Sequence, residues 1–135
     1  MISTELARAL RDSGLVWHPI AGDWFRIDRI EAEEEVFILS DMTVEAQAVG
    51  TGTVLGFNGT TEWALDSVAL EEALWLPRED QLRALLGPAF VALTVLDGFT
   101  VSARIDGETE HFSSDDAANA YARAYLRLLD SFSAE

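Results

Sequence analysis

The stretch Phe90-Val91-Ala92-Leu93-Thr94-Val95-Leu96-Asp97-Gly98-Phe99-Thr100-Val101-Ser102-Ala103-Arg104-Ile105-Asp106-Gly107-Glu108-Thr109-Glu110-His111-Phe112 decides the fold class. It holds three runs rich in β-branched and aromatic residues, separated by two Asp-Gly pairs. Asp-Gly suits a two-residue hairpin turn, because both central positions take positive φ and the resulting twist matches that of the flanking strands. The reading is an antiparallel meander of Phe90–Leu96, Phe99–Ile105 and Glu108–Phe112. In the middle run a period of two places Phe99, Val101, Ala103 and Ile105 on one face.

An apolar sheet face needs a cover, and the next segment supplies one. Ser114 is the expected helix cap, with Asp115 and Asp116 complementing the positive helix end. Tyr121, Tyr125, Leu128, Leu129 and Phe132 then recur as one apolar stripe. Asn119, Arg123 and Arg127 occupy another face, where the arginines are expected to pair with Asp116 or Asp130. Upstream, Pro77 opens a helix over Arg78–Leu86 with Leu82, Leu85 and Leu86 on one side, and Gly87-Pro88 ends it. At the start of the sequence, Ser3 caps a helix over Thr4–Ser13, and Gly14 suits its left-handed stop.

The intervening segment reads as strands. Candidates are Asp23–Ile27, Glu35–Leu39, Val44–Val49, Thr53–Phe57, Thr61–Leu65 and Ala73–Leu76, with turns at Gly50-Thr51-Gly52 and Asn58-Gly59. Ser67–Glu72 reads as a short helical turn. Runs of strands broken by single helices predict an α+β fold: an antiparallel sheet of meanders with an N-terminal, a central and a C-terminal helix packed on it. No linker, repeat or low-complexity segment interrupts the 135 residues, so residues 1–135 are expected to form a single globular domain.

Composition narrows the function. The chain has 24 carboxylates, nine arginines, no lysine and a net charge of −15. Such a charge repels nucleic acid and anionic membranes, so neither is expected as a partner. With no cysteine, disulfides, thiolate metal sites and a cysteine nucleophile are ruled out. No run approaches the roughly 20 apolar residues of a membrane span, and Met1–Leu10 lacks the basic start of a signal peptide. A cytoplasmic location is the expectation.

The run from Phe57 to Val68 (FNGTTEWALDSV), followed by Glu71 to Leu82 (EEALWLPREDQL), resembles an uncharacterised family of small acidic bacterial proteins, mostly actinobacterial, some of them connected with pilus assembly. The opening helix and the Trp17 segment are similar too, so the resemblance covers most of the chain. It implies no particular activity and carries no site residues. The phosphate-binding loop of pilus-assembly ATPases, GxxxxGK[ST], needs a lysine that this chain does not have.

Motifs for chemistry are sparse. His18 and His111 are the only histidines and lack metal-ligand spacing, and the run Glu31, Glu33, Glu34, Glu35 reads as a solvated loop. No metal and no cofactor are expected. There is no GxSxG elbow, and a Ser-His-Asp triad drawn through His18 or His111 has no support from spacing. The tryptophans stand out more. Trp17, Trp24, Trp63 and Trp75 all fall within the first 75 residues, and Trp63 lies among Thr60, Glu62 and Asp66. Indoles beside hydroxyls and carboxylates suit a small polar ligand or a protein partner. The candidate binding residues are therefore Trp24, Thr60, Glu62, Trp63, Asp66 and Trp75, with no catalytic residue assigned. The leading expectation is a non-catalytic binding or interaction module. An acidic inhibitor or immunity-type protein for a basic partner comes second. A small hydrolase using Glu62, Asp66 or His18 comes last.

Overall fold

A computed structural model describes residues 1–28, 36–39, 45–49, 52–56, 67–69 and 72–133. The fold is α+β, with helices near the start, in the middle and at the end of the sequence. The chain divides into two compact units: Met1–Val16 with Leu76–Glu135, and Trp17–Trp75.

The first unit contains α1 (Thr4–Asp12), α2 (Glu79–Leu86), α3 (Ala117–Ser133) and the strands β7 (Phe90–Val95), β8 (Phe99–Ile105) and β9 (Glu108–Ser114). The three strands form the expected antiparallel meander in the order β7-β8-β9. The second turn follows the two-residue rule: Ile105 pairs with Glu108, and Asp106 and Gly107 have φ of 53° and 81°, the double positive φ of a type I′ turn. The first is instead a three-residue loop, Leu96-Asp97-Gly98, because β7 stops at Val95, which pairs with Phe99; Asp97 and Gly98 have φ of 52° and 108° there. A register shift between Phe90 and Ala92 marks a bulge near the start of β7.

Alternation along β8 buries Val101, Ala103 and Ile105 completely or nearly so. This face receives α3, where Ala117, Ala118, Ala120, Tyr121, Ala122 and Ala124 are buried. The small alanine side chains let the helix backbone approach the sheet closely. α1 and α2 pack alongside α3. Phe90 stacks on Tyr121 with ring centroids 5.8 Å apart, and the Arg83 guanidinium lies 4.3 Å from the centre of the Phe90 ring. Burial is the main influence on the Tyr121 phenol and pushes its pKa up, although Arg83 opposes the shift.

Capping confirms one expectation and corrects another. Ser3 caps α1, its hydroxyl accepting from the Leu6 N–H at 3.2 Å. At α3 the cap is Asp116 rather than Ser114. The Asp116 carboxylate accepts from the N–H groups of Ala118 (2.8 Å) and Asn119 (3.3 Å), while Ser114 Oγ accepts from the Asp116 N–H at 3.3 Å. β9 runs on to Ser114, pairing it with Phe99, so Ser114 still belongs to the sheet. Asp116 also receives the Met1 ammonium at 2.7 Å, and the Asn119 side-chain oxygen accepts from the Ser3 N–H at 2.7 Å. These contacts fasten the start of α1 to the start of α3.

The second unit contains β1 (Trp24–Ile27), β2 (Phe37–Ile38), β3 (Glu45–Val49), β4 (Gly52–Gly56), β5 (Ser67–Ala69) and most of β6 (Ala73–Leu76). The described strands form two three-stranded sheets, ordered β2-β1-β6 and β3-β4-β5. β3 and β4 make the hairpin expected around Gly50-Thr51-Gly52, with Val49 opposite Gly52. Ser67–Ala69 is a strand and not a helical turn: Val68 pairs with Leu55, and Ala69 with Val54. A free sheet edge on β4 supplies hydrogen-bond partners that an isolated turn would lack, and the pairing overrides local preference. The expected strand Thr61–Leu65, the Asn58-Gly59 turn and the Glu31–Glu35 run lie outside the described residues.

This unit has a core of Trp17, Phe25, Ile27, Leu39 and Ala73, with Phe37 and Trp75 packed against it. Trp17 and Phe25 lie 5.4 Å apart between ring centroids, as do Phe25 and Phe37. The Trp17 indole donates to the buried Asp23 carboxylate at 2.9 Å. Among the described residues, no helix is long and apolar enough to cross a membrane.

Candidate functional site

Four of the six residues singled out from the sequence, Thr60, Glu62, Trp63 and Asp66, lie outside the described residues. The other two are on one sheet but face different ways. Trp24 is opposite Ile38 in the β1–β2 pairing, next to Phe25, which pairs with Phe37. Alternation therefore turns Trp24 away from the core that Phe25 enters. Trp75 packs against that same core. Its Nε1 is buried and has no hydrogen-bond partner among the described residues. Trp24 and Trp75 thus do not form one wall of a site.

The histidine on the meander has a neighbour that spacing alone did not reveal. Ser102 and His111 are cross-strand partners, with Oγ 2.8 Å from Nδ1. Two residues along each strand, on the same face, Thr100 Oγ1 and Ser113 Oγ are also 2.8 Å apart. These groups lie on the sheet face opposite Val101 and Ala103, as alternation requires. Ser102 is only 7% exposed, so its hydroxyl is shut off from an incoming substrate. A nucleophile must reach the carbonyl it attacks, and its base must be held by a third group. The pair serves as a satisfied cross-strand contact. Among the described residues, no group of three or more metal-ligating side chains comes together.

A concavity lies elsewhere in the first unit. A groove of about 520 Å³ lies between the end of α2, the β8–β9 turn and the second half of α3. Leu85, Leu86, Pro88 and Ala89 form one side; Tyr125, Leu128 and Phe132 form the opposite side; Arg104 and Gly107 come from the hairpin. Local sequence explains each wall. Gly87-Pro88 stops α2 at Leu86, so its last two leucines lie at the end of the helix that borders the groove. The i, i+3, i+7 spacing of Tyr125, Leu128 and Phe132 puts three apolar side chains on one helix face. Gly107 keeps the hairpin turn low, with open space where a Cβ would be.

The groove is apolar and partly open to solvent. Phe132 is 65% exposed although it continues the stripe that buries Tyr121. Burial raises the pKa of Tyr125, so its hydroxyl stays neutral throughout the physiological range. The lining contains no carboxylate, histidine or serine. It can hold an apolar group, with the Tyr125 phenol as its one side-chain hydroxyl.

Charges surround the groove unevenly. Arg127, one helical position before Leu128, meets Glu110 at 3.3 Å, Asp130 at 3.7 Å and Asp106 at 3.9 Å. This fulfils the expected Arg127–Asp130 pairing and extends it to the hairpin. Arg123 instead donates to the Ser113 carbonyl at 3.4 Å. Arg104 borders the groove but is exposed, and alternation along β8 turns its side chain to the face of Thr100 and Ser102.

No family model, curated protein or solved structure matches the chain. The geometry of the groove and the charge around it are therefore what bears on function.

The sequence reading had assigned Leu128 and Phe132 to the packing stripe of the last helix, and Leu85 and Leu86 to that of the central one. One signal was available beforehand: Phe132 ends the stripe after Asp130, where an apolar residue has run past the alanines that bring the helix onto its sheet.

Proposed function

We propose that this chain is a non-catalytic binding module and that the apolar groove between α2, the β8–β9 turn and α3 is its contact surface. The observation that supports the reading is Phe132, a largely exposed aromatic ring lining a mainly apolar groove with Leu85, Leu86, Pro88, Ala89, Tyr125 and Leu128. Pockets of about 300–1,000 Å³ with mainly apolar walls and a few polar groups are the usual form of a binding site. Exposed aromatic anchors are the residues that most often dominate binding energy. A lining without carboxylate, histidine or serine favours binding over hydrolysis. With no cysteine in the chain, the reading takes the reducing cytoplasm as its setting, and the −15 charge sets nucleic acid aside as a partner.

The test is co-purification from the source cells. Tagged wild-type chain and a Thr94→Ala variant, altered on the far face of the meander, should retain the same bound protein. A Phe132→Ser variant should lose it. Equal retention by all three would remove the groove from the account.

A further inference from the structure

We infer that the outer face of the meander, between Arg104 and His111, binds the phosphate group of a small phosphate monoester. This site lies apart from the groove and does not depend on it.

The register of β8 and β9 fixes which residues share the face turned away from the helices. Arg104 is opposite Thr109, Ser102 is opposite His111, and Thr100 is opposite Ser113. No carboxylate stands among them. Glu108 and Glu110 of β9 fall on the other face, opposite Ile105 and Ala103. In a chain with 24 carboxylates and nine arginines, a strand pair whose outer face carries an arginine, a histidine and only hydroxyls besides is a local reversal of the overall charge.

Arg104 is also the arginine left over. Arg11 and Arg78 pair with Asp12 and Asp80, and Arg127 with Glu110 and its neighbours. Arg83 lies over the Phe90 ring, and Arg123 donates to the Ser113 carbonyl. Arg8 and Arg26 have partners as well. Among the described arginines, Arg104 alone has no ion pair, hydrogen bond or ring contact, and it is exposed.

His111 is held in place beside it. Ser102 Oγ lies 2.8 Å from His111 Nδ1, and Ser102 is only 7% exposed. An anion selects the tautomer in which the Ser102 hydroxyl donates to Nδ1 and Nε2 carries the N–H. Arg104 and His111 are diagonal neighbours across the two strands. Their backbones are about 7–8 Å apart, a span that long side chains bridge.

The donor set selects the ligand. A guanidinium fork by itself satisfies both oxygens of a carboxylate. Here the Thr109 hydroxyl stands directly across from Arg104 and the imidazole on its diagonal, so an anion that uses all three donors needs a third oxygen. A phosphate monoester has three free oxygens and a phosphodiester only two. The −15 net charge opposes any anion from a distance. Salt screens that field beyond about 8 Å at physiological ionic strength, and it leaves contacts within the site largely untouched.

The experiment titrates the isotope-labelled full chain with glycerol phosphate, inorganic phosphate, dimethyl phosphate and acetate, each against sodium chloride of equal ionic strength. Amide and arginine side-chain resonances are followed. Glycerol phosphate should shift the Arg104 Nε–H and the Thr109 and His111 amides to saturation. Inorganic phosphate should bind comparably, and dimethyl phosphate and acetate about tenfold more weakly, as expected when a charged hydrogen bond is lost. Arg104→Gln should weaken glycerol phosphate by about tenfold. Arg11→Gln, the same loss of charge on α1, should leave it unchanged. His111→Ala should weaken it, and His111→Gln, which keeps an N–H donor, should weaken it less.

Shifts no larger than those with sodium chloride, or an affinity unchanged in Arg104→Gln, overturn the site. Equal affinity for acetate overturns the phosphate assignment, and binding of inorganic phosphate without glycerol phosphate overturns the monoester assignment. The co-purification result for Phe132→Ser judges the groove separately.

Discussion

The indole nitrogen of Trp17 donates a 2.9 Å hydrogen bond to the Asp23 carboxylate, and both residues are buried. The same carboxylate oxygen accepts from the Ile20 N–H at 3.1 Å. It thereby closes the loop that leads from Trp17 into β1. The Asp23 backbone also bonds to Leu39, since the Asp23 carbonyl accepts from the Leu39 N–H at 3.0 Å. One residue thus ties a tryptophan, a loop and a neighbouring strand together.

Removing that carboxylate strands its donors. A buried N–H left without an acceptor costs about 1–3 kcal/mol. Asp23→Ala is expected to lower the unfolding free energy by about 3 kcal/mol, and Asp23→Asn, which keeps an acceptor oxygen, by less. Urea unfolding followed by circular dichroism measures both. An Asp23→Ala midpoint equal to that of the wild type contradicts this role.

Asp116 predicts a pH dependence. Partial burial works against its ionisation, but the Met1 ammonium and the N–H groups of Asn119 and Ala118 outweigh it and lower its pKa below the usual 3.8. A lowered folded pKa gives stability that is present above the unfolded value and lost as pH falls through the folded one. Asp116→Ala should cost about 1 kcal/mol at neutral pH, as the loss of a helix cap does. Asp116→Asn should cost less, because asparagine also caps. The gap between wild type and Asp116→Asn should close as pH falls below 3.8. Thermal unfolding across that range checks it, and a gap that widens in acid contradicts it.

The two Asp-Gly turns should respond differently to the same change. Gly98 and Gly107 both have positive φ, so alanine is strained at either by about 1–2 kcal/mol. A Cβ on Gly98 would also lie 3.0 Å from the Ser114 carbonyl oxygen, whereas Gly107 has open space there. Gly98→Ala should therefore be the more destabilising of the two. Denaturation midpoints of the pair decide the order.

Phe132 should matter little to folding. It is largely exposed in the last turns of α3, and substitutions at such positions usually change stability by less than about 0.5 kcal/mol. Leu82 on α2, with no exposed surface, should cost about 2–5 kcal/mol when cut to alanine. Calorimetry of Phe132→Ser and Leu82→Ala provides the contrast. A large loss at Phe132 makes it a core residue and not a contact.

Much of the first unit was legible because its signals are local. Asp106-Gly107 specifies its two-residue turn by backbone conformation alone, and alternation from Val101 to Ile105 gives the buried face. The same is true of Ser3 at the first helix. At Asp97-Gly98 the sequence marks the bend but not its length, since Leu96 leaves the strand and joins the loop. Asp116 was harder to read, because Ser114 and Asp116 are both good caps and the choice depends on how far β9 pairs with β8. Ser67–Ala69 was misread for a related reason: its strand conformation comes from β4, more than ten residues earlier in the sequence. The groove was not legible at all. Leu85, Arg104 and Phe132 come from three separate elements, and each follows the pattern of its own element without revealing that they meet. An apolar stripe in sequence also does not show where its cover ends, and that limit is what separates buried Tyr121 from exposed Phe132.

The central claim is that the groove at Phe132 touches a partner, and site-specific photo-crosslinking in the source cells tests it most directly. A benzophenone side chain is placed at position 132 in one chain and at position 94, on the exposed far side of the meander, in another. Irradiation should yield one discrete protein adduct from position 132 and none from position 94. No adduct at 132, or the same adduct from both positions, would contradict the account.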